Sequence, residues 1–144
     1  MIKSVLCAVD ISEGDGDTPV LRQAVRLADL DGAQLDVITV LPDYGEGMVS
    51  GFFSPTHHDE AMRKATQALR DLTAAILSKE RDASVRHIVA SGRAYEAILK
   101  TARKAGTDLI VIGAHKPDFK DYLLGPNSAR VVRHSDCSVF VVRQ

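Results

Sequence analysis

The apolar positions of this chain keep two rhythms in turn. Short unbroken runs of aliphatic residues alternate with stretches in which apolar residues recur every three or four positions. The first run is Val5-Leu6-Cys7-Ala8-Val9, closed by Asp10. It lacks the polar alternation of a half-exposed strand, so it predicts a strand covered on both faces, as in a parallel sheet. A polar, glycine-containing connection, Asp10 to Asp17, follows it. Thr18-Pro19 then reads as an N-cap and first helical residue. Val20, Leu21, Ala24, Val25, Leu27 and Ala28 form one helical stripe that stops at Gly32. Leu35 to Val40 is the second strand.

The segment from Leu41 to Pro55 has no periodicity and is long for a connection inside a compact domain, which marks it as functional or mobile. Its aromatic residues, Tyr44, Phe52 and Phe53, fit a lid or a subunit contact equally well. A second helix, capped near Ser54 or Thr56, carries Met62, Ala65, Leu69, Leu72 and Ile76 on one face. Arg63, Lys64, Arg70, Asp71, Lys79 and Glu80 read as its solvated face. Ser84 to Ala90 is the third strand, with enough polar alternation to suggest a sheet edge. Gly92 breaks it. Tyr95, Ile98, Leu99 and Ala102 mark the third helix, closed at Gly106. Thr107 to Ile112 is the fourth strand, Ala129, Val131 and Val132 belong to a short helix ending near His134, and Ser138 to Val142 is the last strand.

Strands and helices that alternate strictly imply one α/β domain over residues 1–144: a doubly wound, five-stranded parallel sheet with helices on both faces. If the two halves wind in opposite directions, the strand order is 3-2-1-4-5, with the first strand beside the fourth. Ligands of such sheets bind beyond the carboxyl ends of the strands where the order reverses. Here those ends are Asp10 and Gly113.

The composition agrees. A chain of 144 residues, 45% hydrophobic and 26% charged, buries a core without staples, removing roughly 70% of its unfolded surface from water. The net charge of −1 gives no footprint for nucleic acid or an anionic membrane, so any phosphate site is local. Cys7 and Cys137 lie in or beside apolar runs and outside any CxxC pair, which suits free thiols in a reducing compartment. With no apolar run of membrane-spanning length and no signal-peptide pattern at the start, the expectation is a soluble, cytoplasmic domain.

The stretch Gly113 to Ser128, GAHKPDFKDYLLGPNS, carries the strongest candidate chemistry. A strand ends at Gly113, a polar loop crosses to Gly125, and a helix begins at once. Open backbone N–H groups and the positive end of a helix dipole suit a phosphate there. As plain turn glycines and a strand-end cap, Gly113, Gly125 and Asp10 have a structural reading as well.

Over nearly its whole length the chain resembles the universal stress proteins. The features that carry the resemblance are Asp10-Ile11-Ser12 after the first strand, the strand end at Val40, and Gly92 with the helix after it. The densest match is the block DLIVIGAHKPDFKDYLLGPNSARVVRHSDCSVFVVR, Asp108 to Arg143. The resemblance implies a fold like that of the adenine nucleotide alpha hydrolases and binding of ATP or AMP, with or without Mg. The nucleotide-binding branch carries glycine, two residues, glycine, nine residues, then glycine and serine or threonine. Gly113 and Gly125 fill the first and third glycine positions, Lys116 stands at the second, the following spacer is one residue shorter, and Pro126 replaces the hydroxyl residue.

A basic residue followed by proline, as in Lys116-Pro117, occurs in a subgroup of the family. Pro126 removes an N–H and a hydroxyl, each worth roughly 1 kcal/mol as a donor. It suits the first helical position, so Asn127 and Ser128 still offer amides. The resemblance further implies that Asp10 meets the ribose or a nearby metal, that Val40 meets adenine through its backbone, and that Ile112 packs nearby. Gly113 would allow close approach, and Gly125, Asn127 and Ser128 would hold phosphates. In the loop, Lys116 would supply a compensating charge, and His115 reads either as a phosphate contact or as an exposed loop histidine. Retained nucleotide binding with an altered grip on the outer phosphates is expected.

No catalytic residue or metal ligand set is assigned. His57-His58-Asp59-Glu60 is a contiguous run whose members face different sides of a helix. Nothing in the chain forms a Ser-His-Asp pattern, a zinc signature, a P-loop or GxGxxG, and Ser91-Gly92 stands where a receiver domain needs aspartate. The expected function is a stress-response regulatory protein that binds an adenine nucleotide. The alternatives are a dimeric interaction module without nucleotide affinity, and a slow ATPase. The resemblance also implies a homodimer paired through the last strand, Val139 to Val142.

Overall fold

The computed structural model describes residues 1–12, 17–42, 55–114 and 126–143. The elements run β1 (Ser4–Ala8), α1 (Thr18–Asp31), β2 (Gln34–Leu41), α2 (Pro55–Ile76), α3 (Lys79–Ala83), β3 (Arg86–Ser91), α4 (Ala94–Ala105), β4 (Leu109–Gly113), α5 (Pro126–His134) and β5 (Ser138–Val142). All five strands pair in parallel in the order β3-β2-β1-β4-β5. That is the doubly wound sheet the sequence predicts, with β3 at an edge.

The unbroken apolar runs are buried on both faces, as their composition requires. Val5, Cys7 and Val9 point with Leu35, Val37, Leu109 and Val111 into one core layer, closed by α1 and by Leu69 of α2. Leu6, Ala8, Ile38, Ile110 and Ile112 point the other way, onto Ile98, Leu99 and Ala102 of α4 and Val131 of α5. Gly32 and Gly106 end α1 and α4 in the left-handed region, at φ 63° and 66°, where a side chain would be strained.

Two local features differ from the sequence reading. Thr18 lies inside α1, and Asp17 holds the N-cap position without a side-chain cap bond. Its carboxylate instead accepts the Asp10 N–H at 2.5 Å. Lys79 and Glu80 do not extend the second helix. That helix stops at Ile76, and Ser78 starts the separate short α3 by accepting the Arg81 N–H at 3.2 Å.

Asp36, inside β2, is completely buried. A lone carboxylate there would be costly, and Arg86, its register partner on β3, grips both oxygens at 2.7 and 2.8 Å. The long Leu41 to Pro55 segment lies mostly outside the described residues. Among those residues, no helix is long and apolar enough to cross a membrane.

Candidate functional site

The strand order reverses between β1 and β4, and the register fixes what meets there. Ala8 pairs with Ile38 on one side and Ile112 on the other. One residue further, Val9 still donates to Ile38 O at 2.9 Å. Asp10 therefore leaves the sheet between the carboxyl ends of its neighbours, with Val40 on the β2 flank and Gly113 on the β4 flank. In open parallel sheets this reversal of strand order is where ligand crevices lie.

Asp10 is exposed and shaped by its own turn. Its Oδ1 accepts the Ser12 N–H at 2.9 Å and the Ser12 hydroxyl at 2.5 Å. Asp17 stands beside it through the Asp10 amide. Beneath them lies the Cys7 thiol, fully buried, and burial together with the Asp17 charge pushes its pKa far above the ordinary thiol range. Cys7 is thus a core residue and no nucleophile.

On the other wall, Gly113 closes β4 opposite Val142, and Ala114 N–H continues the ladder to Val142 O at 2.7 Å. The positive-φ glycines among the described residues are Gly32, Gly92 and Gly106. Gly113 is not one of them, so its backbone does not demand glycine. α5 begins at Pro126, the first helical position the sequence predicts. Asn127 is exposed and Ser128 buried. The Ser128 hydroxyl donates to Gly113 O at 2.6 Å, which leaves only its backbone amide to a ligand. The structure brings Asp10, Val40, Ile112, Gly113 and the first turn of α5 to one end of the sheet. Ile112 is buried beneath it. His115, Lys116 and Gly125 lie outside the described residues.

The whole-chain pattern matches the family model of the universal stress proteins over residues 1–143. The chain belongs to the universal stress protein family. Universal stress protein A homolog 2 of Coxiella burnetii is 30% identical over 146 residues, covering 98% of this chain and 94% of that protein. A universal stress protein family member from Burkholderia pseudomallei superposes with a TM-score of 0.71 at 22% identity, covering 98% of this chain and 96% of the other. A universal stress protein solved in complex with cAMP superposes with a TM-score of 0.63 at 21% identity, covering 99% and 97%.

Two features of this universal stress protein escaped sequence reasoning. One is the Ser128–Gly113 tie, because a serine after proline reads first as a phosphate ligand. The other is that two cavities among the described residues lie along β3. One of about 490 Å³ is lined by residues from Arg70 to Ile88, and one of about 370 Å³ by Ala90 to Lys104. His58, Asp59 and Glu60 are exposed at the start of α2, where Glu60 pairs with Lys64 at 3.5 Å.

Proposed function

We propose that this stress-response family member binds an adenine nucleotide, ATP or AMP, in the crevice between the carboxyl ends of β1 and β4. The observation that carries this reading is the fastening of the α5 N-terminus to the end of β4, the strand that pairs with β1 just before Asp10. The Asn127 and Ser128 amides sit in the first helical turn, where N–H groups have no partner within the helix and the dipole favours an anion. Asp10 offers carboxylate oxygens to a ribose hydroxyl or a magnesium ion. Gly113 keeps the wall free of a side chain, and Val40 offers backbone to the base. His115, Lys116 and Gly125 are proposed to complete the phosphate grip. The cAMP bound by one structural neighbour supports an adenine nucleotide as the ligand class.

The protein acts by binding rather than by efficient turnover: among the described residues, the crevice gathers no nucleophile with an adjacent base. A reducing, cytoplasmic setting suits its two free cysteines, Cys7 and Cys137. Calorimetric titration with ATP and AMP tests the reading. The expected result is binding that is lost in Gly113→Val, and absence of binding at millimolar ATP overturns it.

A second reading has its own observation. β5 is an edge of the sheet, and Phe140 on it is 40% exposed, so the strand suits pairing with a second copy. The homodimer through Val139 to Val142 is compatible with nucleotide binding or independent of it. Light scattering at micromolar concentration decides whether the dimer forms, and nucleotide titration decides whether it also binds ligand.

A further inference from the structure

The opposite edge of the sheet, β3, has a different character. Gly92 donates to Leu41 O at 2.9 Å, which aims its backbone at β2. Since strand backbone alternates sides, the N–H and C=O groups of His87, Val89 and Ser91 face outward. Both cavities run beside this strand. The first, on the α2 and α3 side, is lined by Arg70, Asp82, Arg86 and His87 among others. The second, on the α4 side, is lined by Ser91, Arg93, Glu96, Lys100 and Lys104 among others.

The charge along this edge departs from the near-neutral chain. Arg86 is committed to Asp36, and Arg93 pairs with Glu96 at 3.7 Å. Arg70, Lys100 and Lys104 take part in no ion pair among the described residues. Against these three cations stands Asp82, with one carboxylate oxygen 3.7 Å from the His87 ring. His87 is held toward its neutral form by burial and by the Arg70 charge. The row of unpaired backbone groups is therefore flanked by unmatched positive charge on both faces.

We propose that β3 is a docking edge for an extended acidic segment of a partner protein, which adds to the sheet as a sixth strand. Main-chain bonds to His87, Val89 and Ser91 supply the ladder. Carboxylates alternating to the two faces of the added strand meet Arg70 on one side and Lys100 and Lys104 on the other. A neutral or basic segment lacks that second set of contacts. A nucleic acid could use the cations but has no donors and acceptors spaced for the strand edge.

The test is fluorescence anisotropy of a labelled peptide of Thr-Glu-Glu repeats added to the intact chain. Saturable binding is expected, weakened about tenfold or more by Lys100→Glu with Lys104→Glu, whose fold is checked by circular dichroism. The same peptide N-methylated at alternate amides should lose binding, because it keeps the charge and loses the ladder. Amide exchange should slow at His87, Val89 and Ser91 on peptide addition. No binding overturns the proposal. So does equal binding of the N-methylated peptide, its lysine counterpart or a single-stranded oligonucleotide, and so does protection confined to Val139 to Val142.

Discussion

The Ser128 hydroxyl donates to the Gly113 carbonyl at 2.6 Å, so the first turn of α5 is fastened to the last residue of β4. This bond ties the helix N-terminus to the strand end. Ser128→Ala leaves the half-buried Gly113 carbonyl short of a partner, at a cost of about 1–2 kcal/mol in urea unfolding. If the helix end serves the phosphates as proposed, the variant should also weaken ATP more than adenosine. Equal loss for both ligands would place the serine's role elsewhere.

Asp10 makes a separable prediction. Its Oδ1 caps the turn at Ser12, and the residue is exposed at the carboxyl end of β1. Asp10→Ala should lower stability by about 1 kcal/mol through loss of the turn bonds. If the carboxylate meets a ribose hydroxyl, affinity for ATP and adenosine should fall about tenfold, while that for free adenine stays unchanged. If it acts through magnesium instead, removing the metal with EDTA should abolish the difference between wild type and variant for ATP.

The Asp36–Arg86 pair tests the core. Arg86→Ala strands a fully buried carboxylate with only Gln34 Nε2 within 3.2 Å. Solvent around the exposed guanidinium softens the effect, so about 2 kcal/mol is expected by urea unfolding. Replacing both residues, as Asp36→Val with Arg86→Thr, should recover most of that loss. Failure to recover would mean that Arg86 acts chiefly by packing.

Most of the fold was legible because the signals were local. Five apolar runs gave the strands, stripes at three- and four-residue spacing gave the longer helices, and the alternation gave the topology. α3 was not legible: its five residues, Lys79–Ala83, bury nothing, and a charged helix without an apolar stripe looks like the outer face of the helix before it. The partnership of Asp36 with Arg86 needed the β2–β3 register, which no single-sequence pattern supplies. At the crevice, Asp10 and Gly113 followed from the strand ends and the reversal rule. The role of the Ser128 hydroxyl did not, because it depends on how α5 settles against β4.

The two thiols should differ sharply in reactivity. Cys7 is inaccessible in the core and its thiolate is disfavoured by burial and by Asp17. Cys137 is partly exposed, with its sulfur 3.3 Å from Ser135 Oγ. A thiol-disulfide reagent should modify one equivalent in the native protein and two in urea, with Cys137 carrying the native label. Rapid labelling of Cys7 in the native state would show that β1 opens locally.

His87 gives stability a predictable dependence on pH. Its Nε2 lies 2.7 Å from Thr73 Oγ1 on α2. Burial lowers its pKa first and the Arg70 charge second, while Asp82 acts in the opposite sense. A base whose pKa is lower in the folded state binds protons more readily when unfolded. Its contribution is therefore fully present above the unfolded value near 6.5 and is lost as pH falls through that value toward the folded one. Urea midpoints measured from pH 8 down to about pH 5 should decline across this window in the wild type. His87→Gln should flatten that part of the curve, and Arg70→Gln should shrink it by relieving one of the two lowering causes. An unchanged decline in His87→Gln would assign the titration to another group.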